Sequence, residues 1–155
     1  MTARTTEKDT IEQVLRGCPS IAIVGLSDNP DRPSYEVAKF LQDRGHRVIP
    51  VNPTVLEVLG RPSYPDLLSV PERVDVVDVF RRAEAVPEIV AQAIQIGAQA
   101  VWMQEGVINR EGARHAQAAG LLVVMDHCIR KETMRLVAEG RLSRRCSEGD
   151  PSEAS

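Results

Sequence analysis

Aromatic side chains are scarce in this 155-residue chain, at 3% of the whole, with one Trp, two Tyr and two Phe. So few rings cannot build the stacking platforms on which single-strand nucleic-acid binders seat their bases. A surplus of positive charge is also missing: 19 Lys and Arg stand against 22 Asp and Glu, for a net charge of −3. Affinity for a phosphate backbone needs clustered Lys and Arg, so no nucleic-acid partner is expected. No apolar run approaches the ~20 residues of a membrane span. The polar start, MTARTTEKDT, lacks the apolar segment of a secretory signal. A cytoplasmic protein without membrane attachment is the expectation. The three cysteines, Cys18, Cys128 and Cys146, are odd in number and widely spaced, with no CxxC pair to suggest zinc or a redox dithiol. Reduced thiols are the default.

What is present fits one globular domain. The hydrophobic fraction of 43% and charged fraction of 26% exclude a chain disordered throughout, and ~150 residues suffice to bury about 70% of the unfolded surface in a single core. Thr10, Ile11, Glu12 and Gln13 match capping-box spacing and predict a short leading helix that ends near Gly17. The run IAIVG (21–25) is apolar, rich in β-branched residues and stops at glycine, which reads as a strand buried on both faces. After a Gly/Pro-rich loop, Ser34 is placed to cap a helix that carries Val37, Ala38, Phe40 and Leu41 on one side and ends at Gly45.

The same alternation continues. HRVIPV (46–51) predicts a strand in which Pro50 favours an edge-like position, and 54–71, interrupted by Gly60, Pro62, Pro65 and Pro71, predicts a connection with at most a turn of helix at 66–69. VDVVDVF (74–80) predicts a third strand. Val86, Ile89, Val90, Ala93 and Ile94 follow helical spacing, with Pro87 tolerated in the first turn. AVWM (100–103) and LLVVM (121–125) predict two more strands, with helices at 109–119 and 128–138. Strands alternating with helices imply a single α/β domain over 1–138: a doubly wound, Rossmann-like sheet of five parallel strands. The polar residues 139–155 are expected to form a flexible C-terminal tail.

A doubly wound sheet binds ligands beyond the carboxyl ends of its strands, where the strand order reverses. With the order 3-2-1-4-5 that reversal falls between the first and fourth strands. Four loops leave this rim: Gly25 to Ser34, Asn52 with Pro53, Arg81 with Arg82, and Gln104 to Gly106. Gly25 permits close backbone approach, Ser27 and Ser34 offer hydroxyls, and the helix opening at Ser34 presents partial positive charge suited to phosphate. The bland alternative is that Gly25 only turns the chain and Ser34 only caps. Arg32, Arg81 and Arg82 either meet further phosphate charge or are solvated surface residues. A dinucleotide fingerprint would read GxGxxG with an acidic residue ending the second strand, where this chain has Asn52 and Pro53. A triphosphate loop would need GxxxxGK[ST]. NAD and ATP hydrolysis are both disfavoured.

Four segments, VGLSDNPDRPSYEVAKFL (24–41), VIPVNP (48–53), VWMQEGV (101–107) and MDHCI (125–129), together resemble the small stand-alone CoA-binding proteins. These are similar to the nucleotide-binding domain of the succinyl-CoA synthetase alpha subunit without its catalytic partners. The resemblance spans about residues 10–138. It implies that Gly25, Leu26, Ser27, Asn29, Pro30, Arg32 and Ser34 line the CoA phosphates and that Asn52 and Pro53 border the adenosine. It further implies that Phe80, Arg81 and Arg82 approach from the third strand, while Gln104, Glu105 and Gly106 flank the first loop. Arg81 and Arg82 stand where many relatives carry a more apolar or proline-bearing turn, which leaves contacts there open. Glu36 is expected to point away from the cleft, because it would repel a phosphate.

Coenzyme A or an acyl-CoA is therefore the expected ligand, held by a non-catalytic module for sensing, carriage or regulation; base rates allow a homodimer. The alternatives are an acyl-CoA ligase or transferase component that needs a partner subunit, a thiol enzyme using Cys128, and an NAD(P)-binding regulator or reductase. Asp126, His127 and Cys128 are consecutive, whereas catalytic triads draw on residues distant in sequence, so Cys128 reads better as structural. His46 and His115 have no evident acid or base companion and read as surface or packing residues. No catalytic residue and no metal site is assigned.

Overall fold

The structure, a computed structural model, describes residues 6–150. Five parallel strands form the central sheet: β1 (Ile21–Val24), β2 (Val48–Val51), β5 (Val76–Val79), β6 (Ala100–Met103) and β7 (Leu122–Val124). Their spatial order is β2-β1-β5-β6-β7. A small antiparallel pair, β3 (Glu57–Val58) and β4 (Arg61–Pro62), lies in the connection after β2. The helices are α1 (Glu7–Leu15), α2 (Pro33–Arg44), α3 (Val86–Gln95), α4 (Arg110–Ala118) and α5 (Ile129–Ala138).

Alternation along the strands splits the core into two layers, because successive side chains leave a strand on opposite faces. Ile21, Ile23, Val76, Ala100 and Trp102 pack with α1, α2 and α5 on one face. Ala22, Val77, Val79, Val101 and Met103 pack with α3 and α4 on the other. β1, β2, β5 and β6 are buried on both faces and β7 in part, and the Rossmann-like doubly wound α/β fold is the one expected. Among the described residues, no helix is long and apolar enough to cross a membrane.

Several local expectations are corrected. The strand order places the reversal between β1 and β5, the first and third main strands, not between the first and fourth. The reason lies in the connection after β2. Tyr64 bridges to Val51, its amide donates to the Pro50 carbonyl and its carbonyl accepts from Asn52 N–H, so this segment occupies the outer edge of β2. β5 consequently pairs on the free side of β1. The cap of α1 is Thr6, whose hydroxyl accepts from Asp9 N–H while the Asp9 carboxylate accepts from Thr6 N–H. Thr10 lies one turn inside, donating to the Thr6 carbonyl.

Two cysteines are not free thiols. Cys18 and Cys146 form a disulfide across 128 positions of sequence, with Cα atoms 5.5 Å apart. Residues 141–150 fold back onto the domain, with Leu142 and Asp150 buried, so this stretch carries more contact than its polar composition predicts. Residues 151–155 of the expected tail lie outside the described residues.

Candidate functional site

Five loops, not four, meet at the carboxyl rim of the sheet, since the turn after β7 joins those already named. The first is the most constrained. Gly25 has φ +92°, and a Cβ built on it would stand 2.3 Å from the Phe80 carbonyl oxygen. Only a residue without a side chain lets the ends of β1 and β5 approach this closely. Gly25 N–H donates to the Val51 carbonyl at 2.8 Å, which ties the three strand ends together. Downstream, the Ser27 hydroxyl accepts from Asn29 N–H and the Asn29 side chain accepts from Asp31 N–H, both at 3.0 Å. These turns use side chains as surrogate backbone, which fixes the loop before any ligand arrives.

Ser34 is not the cap of α2. Arg32 holds that position without a side-chain cap, Pro33 opens the helix, and the Ser34 hydroxyl accepts from Ser27 N–H at 3.0 Å. The start of α2 is thereby bound to the loop. Its first-turn amides and dipole carry partial positive charge toward the rim. Glu36 pairs with Arg130 at 3.2 Å and is exposed, as its expected outward orientation requires.

The rim is hollowed by three adjoining depressions. The first, about 310 Å³, is bounded by Gly25, Ser27, Arg32, Ser34 and Phe80. The second, about 750 Å³, runs from Phe80, Arg81 and Arg82 to Gln104, Glu105 and Gly106. The third, about 310 Å³, holds Pro53 and Arg81 with Asp66 and Glu88. Phe80 borders the first two, and Arg81 the second and third. Arg32, Arg81 and Arg82 are exposed and form no ion pair among the described residues. A separate groove of about 480 Å³ between α2 and α5 contains none of the expected site residues.

Several expected residues act as scaffold. Leu26 is buried in the core and offers only its carbonyl, which accepts from the Asn52 amide at 3.0 Å. The Asn52 side-chain oxygen also accepts from both the backbone and hydroxyl of Thr54. Asn52 therefore fastens the β2 loop to the β1 loop. Asn29 and Pro30 are exposed on the loop and border none of the three depressions. Glu105 pairs with Lys131 at 3.0 Å.

Gln104 is buried, and its side-chain oxygen accepts from Ile129 N–H at 3.1 Å, which caps the start of α5. Gln104→Leu removes that acceptor and is expected to cost about 1 kcal/mol, measured as a lower urea midpoint. An unchanged midpoint would mean that the Ile129 amide has another partner.

Asp126, weighed in the sequence only as one of three consecutive residues for catalysis, has a structural role at the rim. It has φ +65°, and its carboxylate accepts from Gly106 N–H at 2.7 Å, so it holds the β6 loop open beside the cleft. The available signal was its place directly after β7, at the same rim. Its neighbour His127 turns away from the cleft: Nε2 lies 2.8 Å from Glu7 and Nδ1 3.2 Å from Glu132. Cys128 is a free, half-buried thiol on the wall of the second depression, and the neighbouring His127 directs both ring nitrogens to Glu7 and Glu132 instead. His46 is buried, in agreement with a packing role.

Residues 19–134 match the CoA binding domain family. A Bacillus subtilis protein, the uncharacterized protein YneT, is 40% identical over 123 residues, covering 79% of this chain and 91% of that one. The solved structure of a hypothetical protein from Pyrococcus horikoshii superposes with a TM-score of 0.80 at 40% identity, covering 88% of this chain and 99% of that one. An Archaeoglobus fulgidus ADP-forming acetate–CoA ligase is 28% identical over 100 residues, covering 63% of this chain but only 15% of the ligase. The matched stretch carries the β1 loop, the helix it opens and every strand of the sheet, and on that ground the chain belongs to the CoA binding domain family.

Proposed function

We propose that this protein binds coenzyme A or an acyl-CoA at the carboxyl rim without transforming it, in a cytoplasmic role of sensing, carriage or regulation. The observation that supports this most is the convergence at Gly25. There a side-chain-free turn, two serine hydroxyls, the opening of α2 and three arginines without an ion pair among the described residues line two adjoining depressions that share Phe80. The phosphates of CoA suit that charge, and backbone amides at a helix start suit a pyrophosphate. In this reading Ser27, Ser34 and Arg32 meet the pyrophosphate, Arg81 and Arg82 the 3′-phosphate, and Pro53 the adenosine. The pantetheine arm lies toward Gly106.

Purified protein mixed with CoA at a hundredfold excess over Kd is expected to gain about 2.7 kcal/mol of stability, which corresponds to a rise of about 5–10 °C in Tm. Dephospho-CoA should give a smaller rise, and NAD and ATP smaller still. Equal rises with CoA and NAD would overturn the assignment. Arg81→Ala is expected to weaken CoA about tenfold, from loss of a charge-assisted hydrogen bond, and dephospho-CoA much less; titration calorimetry on both ligands reads the difference. The thiol-enzyme alternative has less behind it, because the neighbouring His127 pairs with Glu7 and Glu132 rather than with Cys128.

A further inference from the structure

We propose that Cys18 and Cys146 are a redox-active pair whose oxidation clips residues 141–150 onto the domain and whose reduction releases them. This site lies away from the rim and does not rest on the CoA reading. The segment is held by one compact lock. Arg44, at the end of α2, is buried and donates through Nη2 and Nε to the Ser143 carbonyl at 2.8 and 3.2 Å. The buried carboxylate of Asp150 lies 3.6 Å from Arg44 and accepts from Gly17 N–H at 2.9 Å and Ser143 N–H at 3.2 Å. The disulfide sits beside it, and both cysteines are only half-buried. Small thiols therefore reach the bridge, while the charges it encloses depend on the segment staying down.

The same corner brings Cys18, His46 and Cys146 together, with one ligating atom of each within 4.8 Å of the others, which raises a metal site as the competing assignment. The hydrogen bonds of His46 argue against it. Nδ1 lies 2.9 Å from the Pro19 carbonyl, which only accepts, so Nδ1 carries the hydrogen. Nε2 lies 2.8 Å from Arg44 Nη1, which only donates, so Nε2 is the acceptor. Nδ1, which lies 3.8 Å from Cys18 Sγ, thus has no lone pair to give, and the guanidinium at Nε2 disfavours a second cation. That guanidinium suits a thiolate instead: Nη1 is 3.6 Å from Cys146 Sγ.

Bridge formation uses a low-molecular-weight disulfide as oxidant. The Cys146 thiolate attacks one sulfur of that disulfide, forming a mixed disulfide and expelling one thiolate. The Cys18 thiolate then attacks Cys146 Sγ, which closes the bridge and expels the second. Two electrons pass to the oxidant, and the protons of Cys18 and Cys146 end on the two small thiols released. Reduction is the reverse, with two equivalents of small thiol.

The test uses the full chain equilibrated with oxidised glutathione or with dithiothreitol. After oxidation, peptide mapping should find Cys18 linked to Cys146 and Cys128 open to alkylation. Hydrogen exchange should then show the Gly17 and Ser143 amides exchanging at least tenfold faster in the reduced protein, while β1 and β5 remain the better protected. Tm should fall by about 10–20 °C on reduction, the range for a bridge closing so long a loop. Cys146→Ser should match the reduced protein under both conditions, and if that variant does not fold, the wild-type comparison alone decides. A bridge to Cys128, no bridge, or exchange at Gly17 and Ser143 that ignores reduction would overturn the proposal. So would stoichiometric uptake of Zn²⁺ by the reduced protein with loss of both thiols to alkylation.

Discussion

Gly25→Ala should destabilise the protein by about 3 kcal/mol and weaken CoA binding by more than tenfold. Two costs add at this position. The first is backbone strain: at φ +92° an alanine is held outside its allowed regions, at about 1–2 kcal/mol. The second is steric. The new Cβ would meet the Phe80 carbonyl oxygen at 2.3 Å, and that atom is backbone, so relief requires the ends of β1 and β5 to separate. Separation pulls Gly25 N–H from the Val51 carbonyl and opens the depression it shares with Phe80. Gly120 isolates the first cost, because it has φ +91° and a Cβ there meets nothing within 4 Å. Urea unfolding of both variants should show Gly25→Ala losing at least 1 kcal/mol more than Gly120→Ala. Equal losses would mean that the close approach at the rim has no energetic weight.

The largest pH effects should be hidden in the wild type and exposed by two variants. Asp78 is fully buried in the central strand β5, with neither carboxylate oxygen hydrogen-bonded among the described residues, and burial raises it well above its ordinary value of 3.8. His46 is pushed from 6.5 down to about 4, chiefly by burial, with the Arg44 charge adding and the bond to Pro19 opposing. Above about pH 3.8, and up to its raised value in the fold, the folded protein holds a proton on Asp78 that the unfolded chain lacks. Stability from this group is full below pH 3.8 and declines as pH rises. Between about pH 4 and 6.5 the unfolded chain holds a proton on His46 that the folded protein refuses, so stability from His46 is lost as pH falls. Each slope is about 1.4 kcal/mol per pH unit, and their signs are opposite.

Asp78→Val removes the falling slope and an unpaired polar group from an apolar layer. Its stability should rise with pH across this window by about 1.4 kcal/mol per unit relative to wild type. His46→Asn should show the reverse slope whatever its absolute stability. Urea unfolding at pH 4.5, 5.5 and 6.5 measures both, and parallel profiles for wild type and Asp78→Val would show that Asp78 is ionised in the fold.

Periodicity made the strands and helices legible. IAIVG, VDVVDVF and AVWM could be placed because continuous apolar runs are what a sheet covered on both faces requires. The rim and its loops followed from that placement. The strand order did not, because it depends on where the 52–75 connection packs, and nothing in its Pro/Gly pattern signals that Tyr64 will line the edge of β2. The hairpin β3–β4 escaped for the same reason, its strands being two residues each. The Cys18–Cys146 bridge was illegible because pairing is decided by three-dimensional proximity, and an odd set of cysteines with wide spacing gives no connectivity. At the site, residue identity indicated location better than role. Asn52 and Gln104 sit at the rim, yet both use their side chains to fasten loops to one another.

The central claim is that the carboxyl rim, and not the groove between α2 and α5, receives the phosphates of CoA. Amide-resolved NMR titration of the oxidised protein with CoA tests it directly. Saturable one-to-one shifts are predicted at Gly25, Ser27, Ser34 and Gly106, reduced with dephospho-CoA at Arg81 and Arg82. Saturation confined to residues of the α2–α5 groove, such as Phe40, Met134 and Val137, or no shift at millimolar CoA, would contradict it.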